Sequence, residues 1–169
     1  ALAAWSGASA APKAALWERW TAHDAASAAE IDHGPWNRLL AAYRNADASG
    51  IALFDYSAVT EADDAVLGRY LAGLSAVAIS RYSRPEQLAF WFNLYNAITV
   101  EVVLEHYPVV TIRDIDAAYR IGGPWRKKRI TIEGERLSLD DIEHRIVRPI
   151  WRDPRVHYAF NCAAMGCPN

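Results

Sequence analysis

The stretch from Ser83 to His106 limits the possible folds more than any other part of the chain. It opens Ser83-Arg-Pro-Glu86, which carries two helix-start signals: Ser with Glu three residues later is a capping box, and Pro is tolerated in a first helical turn. The segment Gln87-Leu-Ala-Phe-Trp-Phe-Asn-Leu-Tyr-Asn-Ala-Ile-Thr-Val-Glu-Val-Val-Leu-Glu-His106 follows, and it is expected to end near Tyr107-Pro108, because Pro disfavours helical geometry in the residue before it. Its apolar residues cover almost every face. Such a helix has to be surrounded by protein, so the rest of the chain is expected to wrap around residues 84–106. The apolar run from Leu88 to Leu104 is interrupted by Asn93, Asn96 and Glu101, which argues against a membrane span.

Around this helix the periodicity predicts further elements. Leu16 to His23 and Pro35 to Tyr43 read as short amphipathic helices, and Val66, Leu67, Tyr70, Leu71, Leu74, Val77 and Ala78 make one apolar stripe of a third. Asn45 to Gly50 is a turn cluster. Arg129 to Ile132 and Glu135 to Leu137, joined through Glu133-Gly134, read as a hairpin. Ser138-Leu-Asp-Asp141 is a second capping box, opening a helix over 139–147 that Pro149 should close. Alternation of Val156, Tyr158 and Phe160 predicts a strand over 155–162. The expected class is α+β, mostly helical, with a small antiparallel sheet near the C-terminus. Residues 1–15 are expected to be a flexible N-terminal segment and 16–169 one domain.

The 169 residues are 52% hydrophobic and include seven Trp, enough to build a single core. A net charge of -2 leaves no cationic surplus, so no nucleic-acid partner is expected, and Arg126-Lys-Lys-Arg129 reads as a solvated turn. The Ala-rich first fourteen residues lack a basic start followed by an apolar stretch, but they fit the remnant of a removed export signal. Two closely spaced cysteines are consistent with an oxidising compartment but too few for a disulfide scaffold, so composition alone leaves the compartment open. No cofactor is implied.

Most of the available chemistry lies in the last fifteen residues. Gly166-Cys-Pro168 reads as a turn opening a helix, where unpaired N–H groups favour a thiolate, so Cys167 is the candidate nucleophile. His157 is the candidate base, with Asn161 on the same expected strand face to orient its ring. Cys162 would be a redox partner, or the two cysteines form a structural disulfide or stay inert. Asn93, Asn96 and Tyr95 sit on the central helix, and the amides are expected to be buried, where they either pin a neighbouring loop or line a pocket. Glu143 and His144 are adjacent, about 100° apart on an α-helix, and are not expected to pair with each other. With His157 and the cysteines they lack the Cys-x-x-Cys or His-x-x-x-His spacing of a metal set, so no metal is expected. Trp91, Phe92, Tyr95, Trp125, Trp151 and Tyr158 read as core.

Three motifs resemble the family catalogued as domain of unknown function 547. They are Ala89-Phe-Trp-Phe-Asn-Leu-Tyr-Asn-Ala97, Leu137-Ser-Leu-Asp-Asp-Ile-Glu-His144, and Arg155-Val-His-Tyr-Ala-Phe-Asn-Cys162 with Gly166-Cys-Pro168. The resemblance spans about residues 50–169, with Pro108 and Pro124-Trp125 in their expected places. It implies no assigned activity. It does imply that bacterial members are often exported, so a periplasmic or secreted location is expected, that plant members carry a leucine-zipper segment and that some animal relatives are fused to glutaredoxin-like domains. Members usually continue into further helices past the Gly-Cys-Pro turn, so a C-terminal portion, as a companion fragment or a missing extension, is expected to complete the core. Two readings follow. One is a thiol-dependent enzyme, a hydrolase or transferase on an amide or thioester or a thiol-disulfide exchanger, using Cys167 and His157. The other is a noncatalytic exported module, braced by a Cys162–Cys167 disulfide, that takes a small-molecule or peptide ligand.

Overall fold

One long helix organises the computed structural model, which describes residues 13–46, 50–115 and 123–163. In chain order the elements are α1 (Gly34–Tyr43), β1 (Arg44–Ala46), β2 (Ala52–Phe54), α2 (Glu61–Ser75), α3 (Arg84–Leu104), β3 (Ile130–Ile132) and β4 (Glu135–Leu137). A π-helical turn over Asp141–Val147 then runs directly into α4 (Arg148–Trp151). The protein is mostly helical α+β, with two separate two-stranded antiparallel sheets among the described residues.

The central helix predicted over 84–106 is α3. Phe90, Trp91, Leu94, Tyr95, Ala97, Ile98, Val102 and Val103 are all buried along it. Trp20 meets Trp91 edge-on at 5.2 Å, an arrangement that aromatic quadrupoles favour. The helix begins where the sequence places it, but the capping box does not form. The Ser83 side chain makes no cap bond, and Glu86 instead accepts from the Ile31 N–H at 2.7 Å, holding the segment that leads into α1. Gln87, also buried, donates to the carbonyls of Ala22 and Ile79 at 2.9 Å each.

Elsewhere local chemistry moved several boundaries. The first expected helix is only a 3-10 turn, Glu18–Thr21. The third, expected from Val66, starts at Glu61 because the Thr60 side chain accepts from the Asp63 N–H, and it ends at Ser75, before Val77. Residues around the 45–50 turn cluster pair as β1 and β2, with Asn45 opposite Leu53. The β3–β4 hairpin matches expectation: Ile130 faces Leu137, and Glu133 (φ 46°) and Gly134 (φ 82°) both take the left-handed conformation that a tight two-residue connection requires.

Two expectations at the C-terminal end fail. Pro149 does not close a helix, since α4 continues through it to Trp151. The 155–162 segment is no strand; Pro154–Ala159 is a 3-10 helix, capped by the Asp153 side chain accepting from the Arg155 N–H. Pro after a capping Asp starts a helix more strongly than the alternation starts a strand. Val156 and Phe160, four apart, are buried, while Tyr158 is 71% exposed and so is not core. Of the other expected core aromatics, Trp91 and Tyr95 are buried and Phe92, Trp125 and Trp151 are half-buried.

Candidate functional site

The site is built on the turn that follows β4. Ser138 and Asp141 form the predicted capping box: Asp141 Oδ2 accepts from the Ser138 N–H at 2.9 Å, and Ser138 Oγ accepts from the Asp141 N–H at 3.2 Å. Burial alone would push the Asp141 carboxyl up. Hydrogen bonds from Lys128, Ser138 and Arg145 outweigh it and hold the group below the usual carboxylate range.

Beyond the box the helix widens, with the Arg148 N–H donating to the Glu143 carbonyl five residues back. Pro149 then has no N–H to offer the carbonyl of His144, five back, or of Arg145, four back. Both carbonyls are taken by main chain from far away in sequence: Ala15 N–H donates to His144 at 3.0 Å and Trp17 N–H to Arg145 at 2.9 Å. Residues 15–17 thereby lie as a strap along the widened turn. Trp17 adds a side-chain contact, with the Arg145 guanidinium 4.3 Å from its ring centroid.

The wide turn also changes the relation between neighbours. Contrary to the separation expected on an α-helix, Glu143 Oε1 lies 3.9 Å from His144 Nδ1. That contact is not an ion pair, because the same Nδ1 accepts from Arg148 Nη1 at 2.9 Å and a guanidinium can only donate. His144 is therefore assigned as neutral. Burial, chiefly, holds its pKa below the ordinary imidazole value, opposed by the charges of Glu143 and Asp140 and reinforced by those of Arg148 and His157.

Glu143, buried, meets His157 from the following 3-10 helix, Oε1 to Nδ1 at 3.3 Å, with the imidazole 65% exposed. A carboxylate only accepts, so Nδ1 carries the proton and Nε2 is left for a partner. Burial, with the charges of Glu143 and Asp140, pushes the Tyr95 hydroxyl pKa far up, so Tyr95 stays protonated beneath this group. Burial also raises the Asp140 carboxyl, against the hydrogen bond and charge of Arg126.

Asn96 joins α3 to the same segment. Its Nδ2 donates to the Ala159 carbonyl and its Oδ1 accepts from the Asn161 N–H, both at 2.9 Å. Phe160 between them is seated on Tyr95 and Phe92, at centroid distances of 4.6 and 5.1 Å. Asn93 and Asn96 are half-buried, not fully buried as expected. Asn161 does not orient His157: its side chain accepts from the Ala163 N–H at 2.9 Å, closing a local turn. Cys162 is half-buried beside it, and no cysteine among the described residues is a free thiol. Cys167 lies outside the described residues.

Glu143, Arg148, Arg152, Asp153 and His157 line one cleft of about 720 Å³, with Leu16 of the strap on its rim. Sequence reasoning named Glu143, His144 and His157 but missed Arg148 and Arg152. The His144–Arg148 spacing of four is a signal, masked by the expectation that Pro149 ends the helix. A second cavity of about 560 Å³ lies between α1 and α2, away from these residues. No group of three His, Cys, Asp or Glu that could hold a metal occurs among the described residues, and no helix among them is long and apolar enough to cross a membrane.

Compared with known proteins, residues 79–169 match one family model, described as "Protein of unknown function, DUF547". No curated protein and no solved structure matches the chain. The matched span holds α3 and every residue named in the cleft except Leu16.

Proposed function

Because the chain belongs to the DUF547 family, whose members have no assigned activity, we propose from the geometry alone that it is a ligand-binding module of an oxidising compartment, periplasmic or secreted. In this reading a Cys162–Cys167 disulfide braces the segment beside the cleft, and the cleft takes a small-molecule or peptide ligand. What supports the reading is that no cysteine among the described residues is a free thiol, and that the sequence holds one other cysteine, Cys167. A bond closing so short a loop leaves no thiolate for nucleophilic attack. Intact mass of protein isolated without reductant tests it. The mass should lie two hydrogens below that of the reduced chain and rise on reduction; two free thiols in the fresh sample would sink the reading.

A second reading is favoured by one contact. Glu143 holds His157 with Nδ1 protonated, the tautomer in which Nε2 serves as a base. Cys167, once reduced, would then be the nucleophile of a thiol hydrolase, transferase or disulfide exchanger, with Cys162 as resolving partner. Reduced protein should in that case react with iodoacetamide faster than a free thiol near neutral pH, and His157→Gln should slow it. Labelling at the rate of a free thiol, unchanged by the substitution, would reject the enzyme.

A further inference from the structure

The charges around the cleft do not cancel locally. Asp153 is occupied by Arg155, which donates Nε to both carboxylate oxygens at 3.0 Å and Nη2 to Oδ2 at 2.6 Å. Glu143 is occupied by His157. Arg148 and Arg152, by contrast, donate to neutral acceptors: Arg148 to the His144 imidazole at 2.9 Å, and Arg152 through Nε to the Pro149 carbonyl at 3.3 Å. Each guanidinium has five N–H donors in a planar fork, so most of each fork remains for a ligand. Both line the cleft.

We propose that this cleft binds an organic monocarboxylate, with Arg148 and Arg152 gripping the carboxylate and Leu16, Pro149, Pro154 and Val156 receiving an apolar substituent. It rests on the reading of the cleft as a ligand site. The volume, about 720 Å³, suits a small molecule or the end of a peptide. A carboxylate matches the fork geometry, and two charge-assisted bonds per guanidinium fix its orientation. A dianion such as phosphate is disfavoured, because Glu143, which meets an imidazole and not a guanidinium as Asp153 does, shares the lining and repels the second charge. Arg148 is held by His144 on the widened turn, and Arg152 sits at a left-handed position (φ 54°) that aims it back across the end of α4. The grip is therefore shaped before a ligand arrives, which limits the ordering entropy of binding.

The test titrates the intact protein, by calorimetry and by amide chemical shifts, with N-acetyl-leucine, N-acetyl-leucinamide, an acetylated tetrapeptide ending in leucine, and inorganic phosphate. The acid should bind at least about tenfold more tightly than the amide, the factor one charge-assisted bond supplies. Arg152→Ala, at an exposed position, should remove that preference without lowering the thermal midpoint. Arg148→Gln should do the same, and the shifts of residues 15–17 report whether the fold survives it. Tighter binding by the tetrapeptide assigns the carboxylate to a peptide C-terminus, and equal binding assigns it to a free small acid. Equal affinity for acid and amide would overturn the carboxylate assignment while leaving a ligand site. Preference for phosphate would overturn it in favour of an inorganic anion. Binding of none of the four would remove the ligand site itself, and none of these outcomes bears on the oxidation state of the cysteines.

Discussion

Asn96 carries more tertiary consequence than its half-buried position suggests, because one amide satisfies both a donor and an acceptor of the 159–161 main chain. Asn96→Ala should cost about 1 kcal/mol for each lost bond and should raise hydrogen exchange at Asn161 more than at α3 amides. Equal protection of Asn161 in both proteins would contradict this account. His144 and His33 make a second residue-scale prediction. Burial is the first cause that lowers each, although Glu86 and Asp32 pull His33 up and Glu143 and Asp140 pull His144 up. A histidine with a depressed folded-state pKa binds fewer protons folded than unfolded. Stability is then complete above the unfolded value of about 6.5 and falls as pH drops from there toward the folded value. Urea unfolding should show a lower midpoint in mildly acid solution than at neutrality, and His144→Gln should flatten the slope.

Among the elements, the capping box on Ser138 is the one whose removal is most informative. Ser138→Ala deletes the acceptor for the Asp141 N–H and one donor to its carboxylate, so denaturant titration should show a loss of about 1–2 kcal/mol. Ser83→Ala should change little by comparison, since that side chain makes no cap bond. The two sites share one sequence signature, and tertiary context separates them: Glu86 is drawn away by the Ile31 N–H, whereas Asp141 keeps its bond to the Ser138 N–H while also accepting from Lys128 and Arg145. The same logic explains what the sequence made visible and what it hid. An apolar pattern on all faces identified α3, and a Glu-Gly connection identified the hairpin, because those signals are local. The alternation at 156–160 misled, because Asp153-Pro154 sets a helical start before period two can act. The widened turn was invisible, since it depends on main-chain donors from residues 15 and 17. For the candidate site, Glu143 and His157 stood out by residue type, but their meeting needed that turn.

Over the whole molecule, α3 is the common support for both halves of the chain. Leu94 is fully buried at its middle, so Leu94→Ala should lower stability by about 2–5 kcal/mol, while Leu53→Ala, at a position 45% exposed on β2, should stay within about 0.5 kcal/mol. Thermal and denaturant midpoints of the two variants decide whether a single core is in fact shared. The strap of residues 15–17 ties this core to the cleft wall through the N–H groups of 15 and 17, with the Trp17 ring laid on Arg145 as well. At residue 15 the joint is blind to side-chain identity. Drift there can proceed through almost any amino acid without loosening the bond to His144, whereas proline, which has no N–H, would unfasten it.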